Sequence, residues 1–356
     1  MENSLSMNGG DGPNSYSKNS MVQKLAIDQS KIFISESIEE VLQPGKDSEV
    51  FSIADLGCSV GPNTFLSVDT IIQAVQHKYK TRAPELNMPE FHVFFNDLVS
   101  NDFNTLFKTL PLDRKYIAAG VPGSFHGRLF PESSMNLMHS AYSLQWLTRV
   151  PKEVMKEDSP LWNEGRISYA MSSSQVVEAF KAQFFRDIEA FFEARPAELA
   201  PGGLLVISMP GRAGETQPSK AIGAHFFECL GDTLSDMAAE GLISKRLVDS
   251  FNIPVFFPTA SEVKEAVSKF KHLSIEKDGN LCFPFCVDSQ EHIQLSKVHV
   301  RAFLEVILST HFGFGPELVD ELFNRYPEKL EKLMKTRLST DLERMSEVLL
   351  LVVRND

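Results

Sequence analysis

VFSIADLGCSVG, residues 50–61, carries the densest structural signal in the chain. The run VFSIADLG is short, rich in apolar residues and ended by glycine, so it reads as a buried strand. Asp55 stands at its carboxyl end, and Gly57 and Gly61 let the backbone turn tightly beneath a ligand before it enters a helix. In open α/β sheets, ligands sit outside the carboxyl ends of the strands. The spacing resembles a dinucleotide fingerprint but lacks its third glycine, and an acidic residue lies within the turn region. S-adenosylmethionine has no pyrophosphate to cradle, only a sulfonium, a ribose and an amino-acid tail. The motif alone leaves three readings open: a methyltransferase cofactor turn, a nicotinamide-binding turn, or a glycine turn that binds nothing.

Upstream, residues 1–19 are polar and glycine-rich and read as an arm or loop. Val22, Leu25, Ile27, Ile32, Ile34 and Ile38 give a helical stripe over about 20–42, ended by Pro44-Gly45. Downstream, SVGPNT leads into a helix over 65–79. EFHVFFNDL and RKYIAAGVPG read as the second and third strands, and after NLMHSA a further segment opens at YSLQWL. QVVEAFKAQFFRDIEAFFEARPAEL reads as a long helix, separated by a Pro-Gly-Gly turn from the strand LLVISMPG. Strands alternating with such helices predict a parallel sheet covered on both faces. Beyond Arg212 the pattern becomes mostly helical over 213–252 and about 281–339, with HLSIEKD as a strand between them. VLLLVVRN reads as a strand returning to the sheet. The expected architecture is α/β: an arm and core over 1–212, completed by about 253–280 and 340–356, with a helical cap from 213–252 and 281–339.

Composition removes several function classes. The 356 residues suffice for one large domain or a core with a substantial insertion. A net charge of −12, with no Lys/Arg stripe interleaved with aromatics, repels phosphate backbones and argues against nucleic acid as a partner. The apolar runs 203–209 and 348–353 fall far short of the ~20 residues of a membrane span. MENSLSMNGGDGPNSYS shows neither the basic nor the apolar region of a secretory signal, so the cytoplasm is the expected location. Cys58, Cys229, Cys282 and Cys286 then read as free thiols, and Cys282 and Cys286 with His292 lack a fourth ligand for zinc.

Two further motifs follow strands. Asp97, in FFNDL, can accept both hydroxyls of a ribose because an ionised carboxylate has only acceptors; a helix cap is the alternative. In GVPGSF, Ser124 can bond the edge of an adenine and Phe125 can pack on its face, or the segment is a plain β-turn.

MNGGDGPNSYSKNSMVQ, DLGCSVGPNT, FFNDLVSNDFNTLFKTLP, GVPGSFHGRLFP, HSAYSLQWLTRVP, PGGLLVISMPGR and FNIPVFFP together resemble the plant SABATH methyltransferases, in order from residue 7 onward. That family methylates salicylate, benzoate, jasmonate, indole acetate, gibberellin and iridoid acids, and the nitrogens of xanthines. The resemblance implies a Rossmann-like methyltransferase sheet with a helical cap, a homodimer, and S-adenosylmethionine as cofactor. It assigns cofactor contacts to Tyr16, Ser20, Cys58, Asn63, Asp97, Leu98, Ser124 and Phe125, beside Asp55 and Gly57 of the glycine turn. Gln23 and Trp146 match the pair that holds the substrate carboxylate, with Tyr142 and Gln145 lining the same pocket. Some members also carry magnesium, and Asn163, Asp249, Phe251 and Asn252 match that pattern.

These residue types suit methyl transfer to a carboxylate. The acid is already ionised at neutral pH, so no general base is required and catalysis rests on positioning and water exclusion. An amide NH2 and an indole N–H orient a carboxylate without neutralising it. Gln145, His225 and Gln294, all expected at the pocket, favour an oxygenated acid of the loganic type over salicylate-, benzoate- or jasmonate-like acids. His126 and His139 read as a loop residue and a partly buried helix residue. The rival readings are an N-methyltransferase for a xanthine-type heterocycle, a cofactor-binding protein without catalysis, and a nicotinamide oxidoreductase.

Overall fold

Along β1 (Val50–Leu56), Phe51 and Ile53 are buried in one apolar cluster while Ala54 and Leu56 are buried in another, on the opposite face. Leu204 and Val206 alternate in the same way with Leu205 and Ile207. Strands apolar on both faces need helices on both, and the computed structural model shows this arrangement. It describes residues 6–45, 49–214, 216–284, 289–337 and 345–355.

After β1 come β2 (Glu90–Asp97), β3 (Ile117–Pro122), β4 (Met135–Ala141), β5 (Leu199–Gly211), β6 (Leu273–Pro284) and β7 (Met345–Asn355). They form one sheet in the order β3-β2-β1-β4-β5-β7-β6. The first five strands pair in parallel, and β7 runs antiparallel between β5 and β6. A run apolar on both faces reads the same in either direction, so VLLLVVRN reveals a strand but not its sense.

The described helices are α1 (Tyr16–Asn19), α2 (Met21–Val41), α3 (Pro62–Arg82), α4 (Phe103–Lys108), α5 (Ser174–Glu198), α6 (Ile222–Ala239), α7 (Lys245–Ser250), α8 (Ala260–Ser268), α9 (Gln290–Phe312) and α10 (Pro316–Arg337). Ile34 and Ile38 of α2, and Val68, Ile71 and Val75 of α3, cover one face of the sheet. Phe180, Phe184, Ile188 and Phe191 of α5, with Val263 and Ala266 of α8, cover the other. Helices α6, α7, α9 and α10 bury a separate core around Leu230, Leu234, Leu304 and Phe323.

Three expectations shift. The arm contains the one-turn helix α1, and α2 begins at Met21 because Ser20 breaks the helical path between them. NLMHSA forms β4, which puts His139 on a central strand rather than a helix, fully buried. The helical stretch expected from about residue 281 starts at Gln290 instead, because β6 goes on pairing with β7 as far as Pro284.

The end of α5 locks the loop that follows β3. Arg195 and Glu198 form an ion pair of 2.8 Å with both side chains wholly buried. The Glu198 carboxylate accepts the backbone N–H groups of Leu129 and Phe130, and Arg195 donates to the Gly127 carbonyl at 2.9 Å. Burial lowers the guanidinium pKa to about 10 against the opposing pull of Glu198. Removing one partner leaves the other as an uncompensated buried charge. Arg195→Met is expected to cost about 3–5 kcal/mol in a urea unfolding titration. A loss below about 1 kcal/mol would contradict that role for the pair.

Candidate active site

The strand order reverses between β1 and β4, so the loops leaving their carboxyl ends part and open a crevice. The glycine turn enters it. Gly57 has φ +83°, and a Cβ there would sit 2.4 Å from that of Ser143; a Cβ on Gly61, at φ +106°, would meet the Ser17 backbone at 2.8 Å. The first glycine lets β1 approach the segment after β4, and the second lets the arm lie on the turn. The N–H groups of Gly57 and Cys58 both donate to the Asn96 carbonyl at 2.9 Å. The Asn96 amide in turn donates to the carbonyls of Val121 and Gly123, which fixes the start of Gly123-Ser124-Phe125.

A cavity of about 370 Å³ extends from this turn to the helical layer, and its wall unites most of the expected residues. At the sheet end lie Tyr16, Asp55, Gly57, Cys58, Asn63 and Asp97, followed by Leu98, Ser124 and Phe125. Asp97 accepts the Ser59 N–H with one carboxylate oxygen and the Leu98 N–H with the other, each at 2.7 Å. An ionised carboxylate retains further lone pairs for a ligand hydroxyl. Burial raises the Asp97 pKa to about 6, although both backbone hydrogen bonds oppose the shift and the charge of Asp55 adds to it. Burial also pushes the Cys58 thiol and the Tyr16 phenol up, with Asp97 contributing, so both stay neutral. Phe125 packs edge-on against Phe191 at 6.0 Å. The Ser59 hydroxyl is buried on this wall without a hydrogen-bond partner among the described residues, an opening for a polar ligand group inside the glycine motif that residue type alone does not single out.

Two residues expected on the cofactor side also hold the fold together. Asp55 borders the cavity, but its carboxylate is taken: one oxygen meets His139 Nδ1 at 2.7 Å and the other accepts from the Thr64 hydroxyl. It ties β1 to β4 and α3 from a place on the cavity wall. Ser20 does not line the cavity; its hydroxyl and carbonyl receive the Asn63 amide at 2.9 and 3.0 Å, fastening the arm to α3.

At the helical end, Gln23, Tyr142, Gln145 and Trp146 share the wall with Phe227, Phe257 and Phe303. Gln23 Oε1 is buried without a partner, and no protein acceptor takes the Trp146 indole N–H among the described residues. Trp146 meets Phe303 edge-on at 6.1 Å, Phe303 meets Phe227 at 6.4 Å, and Phe227 stacks on Phe257. Arg212 is the one Lys or Arg lining the cavity among the described residues. It is occupied by the carbonyls of Phe257 and Thr216 and by Glu262.

His225 and Gln294 do not join the pocket. His225 is buried in α6 beside Glu228 at 3.3 Å, and Gln294 is exposed on α9. His299 of α9 is on the wall instead, where helical periodicity alone could not place it.

Of the residues matched to the magnesium pattern, the structure brings Asn163 and Asn252 into contact, with Asp249 and Phe251 nearby in sequence. Asn163 donates to Asn252 Oδ1 at 2.7 Å and its own Oδ1 accepts from Ser172; Asp249 pairs with Lys245 at 2.7 Å, and Phe251 is buried in the α6–α10 core. Cys58, Cys229 and Cys282 form no disulfide among the described residues, and Cys286 lies outside them.

The family model for SAM-dependent carboxyl methyltransferases matches residues 2–354. The chain belongs to this family. The methyltransferase is 41% identical to loganic acid O-methyltransferase of Catharanthus roseus over 332 residues, covering 92% of this chain and 88% of that one. It is 37% identical to a probable jasmonic acid carboxyl methyltransferase of Theobroma cacao over 357 residues, covering 94% and 95%. Among solved structures, loganic acid methyltransferase with SAH superposes with a TM-score of 0.91 at 38% identity, covering 98% of each chain. S-adenosylmethionine is therefore the cofactor, and the open acceptors of Asp97 with the unpartnered Ser59 hydroxyl suit its polar groups.

Asp97 gives this binding a pH signature. A carboxyl whose folded pKa is raised from ~4 favours the folded protein below that value, and this contribution is lost as pH rises through about 6. A ligand that needs the ionised form runs the other way. With ribose hydroxyls on Asp97, calorimetric affinity for S-adenosylhomocysteine should be level above pH ~7 and weaken below about 6. Asp97→Asn should bind more weakly at all pH values and lose the dependence; wild-type affinity unchanged down to pH ~5 would refute the ribose role.

Proposed function

We propose that the methyltransferase forms the methyl ester of a small, oxygenated plant carboxylic acid, an iridoid acid of the loganic type first, ahead of salicylate-, benzoate- and jasmonate-like acids. The observation that carries the reading is a pair of neutral polar groups on an aromatic wall whose one cation is already paired: Gln23, whose side-chain amide has its oxygen buried without a partner among the described residues and can turn its NH2 to that place, and Trp146, whose indole N–H meets no acceptor there. Similarity to the loganic acid enzyme supports the ranking, whereas His225 and Gln294 no longer do.

S-adenosylmethionine supplies a methyl group already activated by the sulfonium. The protein's part is geometric and electrostatic. Gln23 and Trp146 orient one face of the ionised acid, and Tyr142, held at φ +54° by its N–H to the Ser208 carbonyl, shapes the floor beside them. Phe227, Phe257 and Phe303 exclude water that would shield the nucleophilic oxygen. Because the acid reaches the site ionised, no residue has to remove a proton. A free guanidinium would bind the carboxylate more tightly but draw charge from it; Glu262 holds Arg212 out of that role.

Gln23→Ala and Trp146→Phe are each expected to lower kcat/KM by about 10–100-fold, equivalent to ~1–3 kcal/mol of lost transition-state binding. Near-wild-type values in both variants would remove the carboxylate assignment. The product class separates the ester from the N-methyl alternative, since esters release methanol in alkali and N-methyl heterocycles do not. The reading extends to a homodimer in the cytoplasm, supported by the family resemblance, with light scattering in solution as the check on subunit number.

A further inference from the structure

The cofactor and the acid are held by different segments, and methyl transfer requires the two in one register. Ser124 and Phe125 belong to the loop after β3, whereas Trp146 belongs to the segment after β4. On one side that segment is fastened toward the cap. The Leu147 N–H donates to the Pro254 carbonyl at 2.8 Å and the Phe256 N–H to the Gln145 carbonyl at 2.9 Å, beside Ile253 and Val255 of the cap core. On the other side it meets α5 at Asp187, a residue that is buried but does not line the cavity.

Asp187 reaches both segments. One carboxylate oxygen accepts the Thr148 N–H at 2.9 Å; the other accepts the Thr148 hydroxyl at 2.7 Å and the Gln183 amide at 2.8 Å. Arg186 fixes that amide by donating to Gln183 Oε1 at 2.8 Å. The Asp187 backbone carbonyl lies 3.1 Å from His126 Nδ1, and since a carbonyl only accepts, the ring carries its proton there. Burial lowers the His126 pKa against the pull of Asp187, so the ring is neutral. The His126 ring stands 4.7 Å from that of Phe125, which packs on Phe191 one turn further along α5. His126 and Thr148 both line the cavity. One residue of α5 therefore bonds the cofactor loop through its carbonyl and the Trp146 segment through its carboxylate.

We infer that Asp187 is a positioning residue for methyl transfer: by bonding His126 and Thr148 it sets the separation between the sulfonium methyl and the acid oxygen. The inference rests on Trp146 holding the acid, as read above. Reacting atoms need to stand about 3–3.5 Å apart, and a displacement of about 1 Å that starts far from the chemistry can cost ~100-fold in rate. Asparagine cannot stand in for the carboxylate. Its NH2 would face either the Thr148 N–H or the Gln183 amide, donor against donor.

The test is steady-state kinetics on whichever of loganic, salicylic, benzoic and jasmonic acids the wild type turns over fastest, with calorimetry on S-adenosylhomocysteine to count binding sites. Asp187→Asn is expected to lower kcat about 10–100-fold while KM for the acid and affinity for S-adenosylhomocysteine stay within about threefold, because each reactant is still held but out of register. Thr148→Val removes one of the two bonds from Thr148 and should lower kcat about 3–10-fold; Thr148→Ser keeps both and should restore it. If Asp187→Asn does not fold, the two Thr148 variants decide the question. A purely structural role would reduce the number of binding sites and leave turnover per site at the wild-type level. That result, or equal turnover in the Val and Ser variants, would overturn the inference while leaving the ester reading in place. No turnover of any of the acids by the wild type would sink the ester reading and this inference together.

Discussion

The Asp55 carboxylate, sealed between His139 of β4 and Thr64 of α3, is the constraint on which the site's geometry depends. It stands where the sheet order reverses, the point at which the crevice tends to splay. By bonding across the divide it holds β1, β4 and the start of α3 in one register. The left-handed glycines can then bring the turn against Ser143 on one side and the arm on the other. From the turn the order passes to Asn96, whose carbonyl and amide bind the glycine turn and the loop after β3 together. Asp97 is the counterpart. Its bonds are to backbone N–H groups, so acceptor capacity remains on the cavity side. Both strand-end aspartates thus border the cavity, and Asp55 in addition ties β1 to β4 and α3.

The opposite end of the cavity follows a rule of withheld charge. Arg212 lies within reach of the space but is absorbed by Glu262 and two carbonyls. What remains is aromatic surface with a few oriented dipoles. In such surroundings a dipole acts strongly because little water competes, and a full positive charge would bind the ground state too well. The same economy extends to the arm, where Asn63 grips Ser20 and the Asn19 carbonyl fixes the tautomer of His299.

Much of this could be read from residue order. The unbroken burial of residues 204–209 and the helical stripe of α5 leave their marks in sequence, and the glycine turn points to a strand end where a ligand can sit. What was missed shares a physical cause: contacts between distant segments. His139 looked unremarkable because its partner lies on another strand, 84 positions away. Along α9, Gln294 and His299 differ by five residues, roughly 140° of helix rotation, and sequence does not say which side meets the pocket. In α6, Gly223, Phe226 and Phe227 reach the cavity while His225 turns to Glu228. Residue types alone likewise do not show that Lys245 pairs with Asp249.

The position of β7 has a consequence for how the molecule is made. This strand follows all the others in chain order, yet it sits inside the sheet, hydrogen-bonded to β5 on one side and β6 on the other. A ribosome adding about 5–20 residues per second therefore releases β5 and β6 well before the strand that joins them. Until it arrives, two rows of unsatisfied backbone groups flank an apolar slot, the kind of edge that invites pairing with another nascent chain. Soluble yield should thus depend on how quickly β7 fills the slot once it has been made.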